Sequence, residues 1–212
     1  MGRQGLFVVG ALCGFLYSGV VWAEAKITQE IASITVPHGT KQVTVTREQD
    51  PSAVIDPVFA RVSRPCPPYC AQPMVVLPRV QTIGEVELID FMRTHLKAGT
   101  GVLVDARTPD WHAKGTIPGS INVPYTDVNP SLGADEMVIE KALERFGVRN
   151  GDFSKAKSLV LWCNGSWCGQ SPTAIRGLVE LGYPREKLFY YRGGMQAWKI
   201  YGLTVVPPAE GE

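Results

Sequence analysis

Four cysteines stand in two close pairs, Cys66 with Cys70 and Cys163 with Cys168, and a fifth, Cys13, lies apart near the amino terminus. A thiolate is a potent nucleophile, a partner in disulfide exchange and a ligand for soft metals. The spacings are wider than the two-residue gap usual in zinc and redox motifs. A metal centre built from all four cysteines therefore ranks below a local Cys66–Cys70 disulfide, and below a thiol relay that exchanges with Cys163 or Cys168. Pro65, Pro67, Pro68 and Pro73 stiffen the Cys66–Cys70 segment, which suits the local bridge.

Cys163 carries the most information. It follows the apolar run 159–162 and precedes Asn164, Gly165, Ser166, Trp167, Cys168, Gly169 and Gln170, which lead to Ser171-Pro172, a serine and proline pair of the kind that opens a helix. A strand that ends in a cysteine and continues through a loop into a helix start surrounds the sulfur with backbone N–H groups. Together with the helix dipole they favour a thiolate, a persulfide or an incoming oxyanion. The plainer alternative is a small buried hydrophobe at a strand end. Cys168, in the same loop, is a candidate resolving thiol that would displace sulfide from a Cys163 persulfide. It equally suits disulfide exchange, a structural disulfide or an inert thiol.

The elements that must position this loop are legible on both sides of it. Residues 32–46 alternate apolar positions about Pro37-His38-Gly39-Thr40, which predicts a β-hairpin with those four residues as its turn. Residues 49–79 are proline-rich without a period and read as an ordered but irregular strap. Thr82 with Glu85 has the form of a capping box before a helix that ends at Gly99, with Val86, Ile89, Met92 and Leu96 on its apolar face. A buried strand is predicted at 102–104, a helix over 134–146 with Val138, Ala142 and Phe146 inward, and a strand at 159–162. A helix from Ser171 to Leu181, a strand at 188–191 and a short helix through Trp198 follow. Strands alternating with helices imply a parallel sheet covered on both faces, with ligands at the carboxyl ends of the strands.

Composition removes other classes of function. The 212 residues are 45% hydrophobic, enough for one core, and the net charge of +1 is scattered, so no nucleic-acid partner is expected. Arg3 followed by an apolar run over 6–22 and small residues near Ala23 and Ala25 reads as a secretory signal, residues 1–23, rather than an uncleaved anchor. No small residue immediately precedes Cys13, which argues against a lipoprotein signal. A periplasmic or secreted chain with no stable membrane insertion after cleavage follows, in a compartment that permits disulfides.

Two further stretches carry a resemblance. Val104-Asp105-Ala106-Arg107 with residues 115–125, Gly-Thr-Ile-Pro-Gly-Ser-Ile-Asn-Val-Pro-Tyr, resembles the first half of rhodanese domains, and residues 191–198, Tyr-Arg-Gly-Gly-Met-Gln-Ala-Trp, resemble their closing motif. Both lie in the family's order around Cys163. The resemblance implies an α/β fold with a rhodanese-like parallel sheet over 81–208, preceded by a proline-rich extension with a small hairpin over 24–80. It implies that Cys163 accepts sulfane sulfur as a persulfide and hands it to a thiol, with no metal or organic cofactor. Asp105 and Arg107 are implied to brace the strand-to-loop corner. The active-site loop departs from the family in its length and in carrying no charge, which disfavours thiosulfate:cyanide transfer and removes the arginine that related phosphatases need. Arg192, after the last strand, is the candidate replacement cation for orienting a donor. The expected partner is a small sulfane-sulfur donor or a persulfidated or thiol protein. Thiol–disulfide exchange through Cys163 and Cys168, and a non-catalytic binding module, are the alternatives. His38, His95 and His112 share no spacing and read as surface or packing residues. Trp111 reads as core, and Trp167 as a wall of the loop.

Overall fold

The computed structural model describes residues 1–2 and 24–211; the expected signal segment lies almost entirely outside them. The chain begins with an antiparallel hairpin, β1 (Ile34–His38) and β2 (Lys41–Val45), with Ile34 opposite Val45 and His38 opposite Lys41. The turn is thus Gly39-Thr40, and Pro37 and His38 belong to the strand. The proline-rich strap holds one short helix, α1 (Pro57–Ala60), whose first turn is capped by the Asp56 side chain.

After the strap come β3 (Gln81–Ile83) and α2 (Glu85–Phe91), which continues as a π-helical turn over Met92–Leu96. The expected capping box is displaced: Thr82 lies inside β3 and bonds the Met74 carbonyl, and Glu87 accepts from the Gly84 N–H at 3.0 Å. Leu88, Ile89, Phe91 and Met92 are buried, whereas Val86 faces solvent. The chain then runs through β4 (Gly101–Asp105), α3 (Pro109–His112), β5 (Ser120–Asn122), α4 (Glu136–Arg145), β6 (Ser158–Trp162), α5 (Gln170–Glu180), β7 (Leu188–Tyr191) and α6 (Gly194–Ile200). In α4, Ala142 and the following Phe146 are buried, but Val138 is exposed.

Among the described residues, five parallel strands form one sheet in the order β3-β7-β6-β4-β5. Their carboxyl ends line up: Ile83 pairs with Tyr191, Tyr191 with Trp162, Trp162 with Asp105, and Asp105 with Asn122. That row fixes where the chemistry sits, because the β6 loop, the β4 corner and the β7 turn all leave the sheet on one edge. Both faces are covered. One packs Val102, Val104, Leu159, Leu161, Leu188 and Tyr190 against α4 and α5, and the other packs Leu103, Val160, Trp162 and Tyr191 against α2, α6 and the hairpin. Burial on both faces is why β4 and β6 read as continuous apolar runs rather than alternating ones.

Candidate active site

Cys163 follows the last residue of β6 at the middle of the sheet. Its carbonyl accepts the Met195 N–H at 2.9 Å and the Asn164 carbonyl accepts the Gln196 N–H at 3.0 Å, which clamps the loop onto the first turn of α6. Gly194 makes that approach feasible, with φ of +55° and a position where a Cβ would fall on the Cys163 carbonyl.

The Cys163 side chain is 1% exposed. The Ser171 hydroxyl donates to its sulfur at 3.1 Å, and the Cys168 carbonyl lies 3.1 Å away. Ser171 lies inside α5 and is not its cap. Gly169 occupies that position without a side-chain bond, and the Ser171 hydroxyl is directed at Cys163 from the first turn of α5. Burial pushes the Cys163 thiol up, but hydrogen bonds from the Cys168 thiol, the Ser171 hydroxyl and the backbone N–H groups of Ser171 and Gly165 more than reverse this, bringing it from 9.0 to about 7. Cys168 moves the opposite way, because its thiol is hydrogen-bonded to Cys163, is buried and faces a developing negative charge. Both thiols are free.

The corner after β4 is a closed polar network. Arg107 donates Nε to Asp105 Oδ1 at 2.8 Å and Nη2 to Oδ2 at 2.6 Å, with further bonds to the Gly115 carbonyl at 2.7 Å and Asn164 Oδ1 at 3.4 Å. His112 Nδ1 and the Thr116 hydroxyl approach Asp105 Oδ2 at 2.8 and 3.0 Å. The Asn122 amide spans the Asp105 and Arg107 carbonyls, and the Arg107 guanidinium lies over the Trp162 ring at 4.6 Å. Burial pushes the Asp105 carboxyl up, and the bonds from Arg107 and His112 hold it below the usual carboxylate range despite that. Arg107 meets the cysteine loop at Asn164, so the network sets the shape of the site. His112 and Thr116 belong to it although neither sequence spacing nor periodicity singled them out. His38 is likewise buried, accepting the Gly119 N–H on Nδ1 at 3.2 Å with Nε2 2.9 Å from the Pro207 carbonyl.

The strap crosses the outer face of the cysteine loop. Cys66 and Cys70 form a disulfide, which takes two of the four thiols that a four-cysteine metal centre would need. The Tyr69 ring meets Trp167 edge-on at 5.6 Å, and the Gln72 N–H donates to the Ser166 carbonyl at 2.8 Å. Arg192 gives Nε and Nη2 to the Gln72 carbonyl at 3.1 and 2.9 Å, so its donors anchor the strap. Trp167 is half-buried and donates Nε1 to Gln196 Oε1 at 2.8 Å; Gln170 Oε1 lies 3.5 Å from the Cys168 sulfur. Trp111 packs against Phe59 at 6.1 Å and stands apart from the loop. A groove of about 1330 Å³ lined by Arg47, Glu48, Asp56, Lys199 and Tyr201 lies at the other end of α6 from Cys163.

The chain shares 29% identity over 51% of its length with a helix-turn-helix transcriptional regulator from Mycobacterium tuberculosis, of which it spans 39%. It shares 28% identity over 50% of its length with a sulfurtransferase from Allochromatium vinosum, spanning 79% of that protein. With the thiosulfate:glutathione sulfurtransferase of Saccharomyces cerevisiae it shares 32% identity over 48% of its length, spanning 66% of the yeast chain. The Rhodanese-like domain profile matches residues 89–201, and the chain belongs to that family.

Proposed function

We propose that the chain is a sulfurtransferase that carries sulfane sulfur as a persulfide on Cys163 and passes it to a thiol acceptor. The observation that carries this reading is the environment of one sulfur: a thiol at the carboxyl edge of the sheet, hydrogen-bonded by Ser171, Cys168 and backbone N–H groups, and brought to about 7. In the first step the Cys163 thiolate attacks the donor's outer sulfur. The bond from that sulfur to the rest of the donor breaks, and its electron pair leaves with the donor. In the second step an acceptor thiol attacks the outer sulfur of the persulfide, and the Cys163 thiolate is restored. The same N–H and O–H groups serve thiolate and persulfide, since both place negative charge in one cradle. The sulfurtransferases of Allochromatium and yeast among the relatives support this reading. Arg3, the apolar run 6–22 and the Cys66–Cys70 disulfide support an extracytoplasmic setting.

A second reading rests on Cys168. It is a second free thiol in the same loop, and its carbonyl lies 3.1 Å from the Cys163 sulfur; a Cys163–Cys168 disulfide would expel sulfide from a persulfide or pass electrons to a partner's disulfide. Turnover with a persulfide donor and a thiol acceptor separates the two. Cys163→Ser should abolish transfer, and Cys168→Ser should retain it if Cys168 only donates a hydrogen bond. Loss of transfer in Cys168→Ser, with a mixed disulfide trapped on Cys163, favours the exchange reading.

A further inference from the structure

Two of the arginines near the cysteine loop are committed: Arg107 to Asp105 and Arg192 to the Gln72 carbonyl. Arg64 is different. It is carried by the strap, and its guanidinium carbon lies 3.7 Å from the centroid of the Trp167 ring, within the loop that begins at Cys163. Nη2 donates to the Val58 carbonyl at 2.6 Å, but Nε is buried with no hydrogen-bond partner among the described residues. No carboxylate pairs with this side chain among them either. Burial pushes the Arg64 guanidinium down from its ordinary value, and the neighbouring Arg61 adds to this. A buried donor without an acceptor is costly and rare in native structures, and the uncharged loop over 163–171 supplies no acidic group to answer it.

The strap holds this cation in place. The Cys66–Cys70 disulfide closes the segment immediately after Arg64. Tyr69 against Trp167 and Gln72 against Ser166 pin it to the loop, and Arg192 fastens it from β7. A guanidinium stacked on an indole keeps its edge free for hydrogen bonding, and its fork matches the paired oxygens of a sulfonate or carboxylate.

We propose that Arg64 receives the oxyanion end of the sulfur donor, so that the charge missing from the loop is supplied by the disulfide-closed strap. This rests on the sulfur-transfer reading above. With thiosulfate as donor, the Cys163 thiolate attacks the sulfane sulfur, the sulfur–sulfur bond breaks, and sulfite leaves with the electron pair and both of thiosulfate's negative charges. The Cys163 persulfide keeps the single charge of the thiolate. Arg64 would hold the sulfonate before and after the break. A donor ending in a carboxylate, such as glutathione persulfide, would engage the same fork.

Alkylation of Cys163 tests this independently of sulfur transfer. Iodoacetate and iodoacetamide differ in charge but share the same thiolate and the same path into a site whose sulfur is 1% exposed, so the ratio of their rates cancels both. In the full chain with the Cys66–Cys70 bridge intact, and with adducts assigned by peptide mapping, Arg64→Gln should lower the iodoacetate:iodoacetamide ratio about tenfold or more, the loss of one charge-assisted hydrogen bond. Arg64→Lys should retain part of it. Loading kinetics then identify the recognised end: a rise in KM with kcat largely kept, for thiosulfate if it is the sulfonate, for glutathione persulfide if it is the carboxylate. An unchanged alkylation ratio in Arg64→Gln overturns the proposal. A wild-type chain that takes sulfur from neither donor sinks the transferase reading instead, and the alkylation ratio still decides the role of Arg64.

Discussion

Ser171 is a helix-start serine by sequence and a thiol partner by structure. Both uses place it at the start of α5, but Ser171 lies inside the first turn, where its hydroxyl donates to the Cys163 sulfur at 3.1 Å, and Gly169 takes the cap position with no side chain to offer. The consequence is a pH dependence. Alkylation of Cys163 by iodoacetamide should rise with pH through a midpoint near 7, because the thiolate forms as pH passes the lowered value. Ser171→Ala removes a bond made to the charged form, so the midpoint should move up by about one pH unit, the equivalent of roughly 1.4 kcal/mol. A midpoint that stays in place would assign the low value to the backbone N–H groups and Cys168 alone. Cys163 itself was legible because strand, loop and helix start are local signals. Arg64, His112 and Thr116 were not, since each reaches its partner through folding rather than through a recurrent spacing.

The β4 corner shows what an element must do for a loop it scarcely touches. Asp105, Arg107, His112, Thr116 and Asn122 fix the turn between β4, α3 and β5, and Arg107 extends to Asn164 beside the nucleophile. Removing one member leaves buried charge without its counter-charge. Asp105→Asn should therefore cost about 3–5 kcal/mol in urea unfolding near neutral pH. The sign in acid follows from the depressed carboxyl: its contribution is full above the unfolded value near pH 4 and is lost as pH falls through the lower folded value. The gap between wild type and Asp105→Asn should accordingly shrink below about pH 4. A constant gap across that range would mean that the loss comes from shape rather than charge. The apolar runs of β4 and β6 mark those strands in the sequence, whereas β3 and β5 have three residues each and too little length to show a period. Thr82 and Glu85 imitate a capping box two residues ahead of the Gly84 cap, at a position the strand occupies.

At the scale of the molecule, the parts preceding the sheet complete it. The hairpin delivers Ile34, Val36 and Val45 to the face formed by Trp162, Tyr191 and Trp198. The carboxyl-terminal segment returns to both, with Arg47 bridged to Leu203 and Thr116 to Val206. The strap then crosses the edge where the strands end, which explains why a proline-rich stretch carries cysteines and aromatic residues that a mere spacer would not need. Its irregular backbone hid this role in the sequence, because cysteines and apolar residues signal an ordered strap but not the loop that it contacts. The neutral cysteine loop and the cation-bearing strap are complementary halves of one site.

Sulfur transfer as proposed requires that Cys163 hold the sulfur in transit. The most direct measurement is intact mass and peptide mapping of the protein purified without reductant, before and after exposure to thiosulfate or a polysulfide. One added sulfur is expected on the Cys163 peptide, removed by a thiol and absent from Cys163→Ser, with the Cys66–Cys70 bridge unchanged. Sulfur retained in Cys163→Ser, or a Cys163–Cys168 disulfide in place of a persulfide, would contradict it.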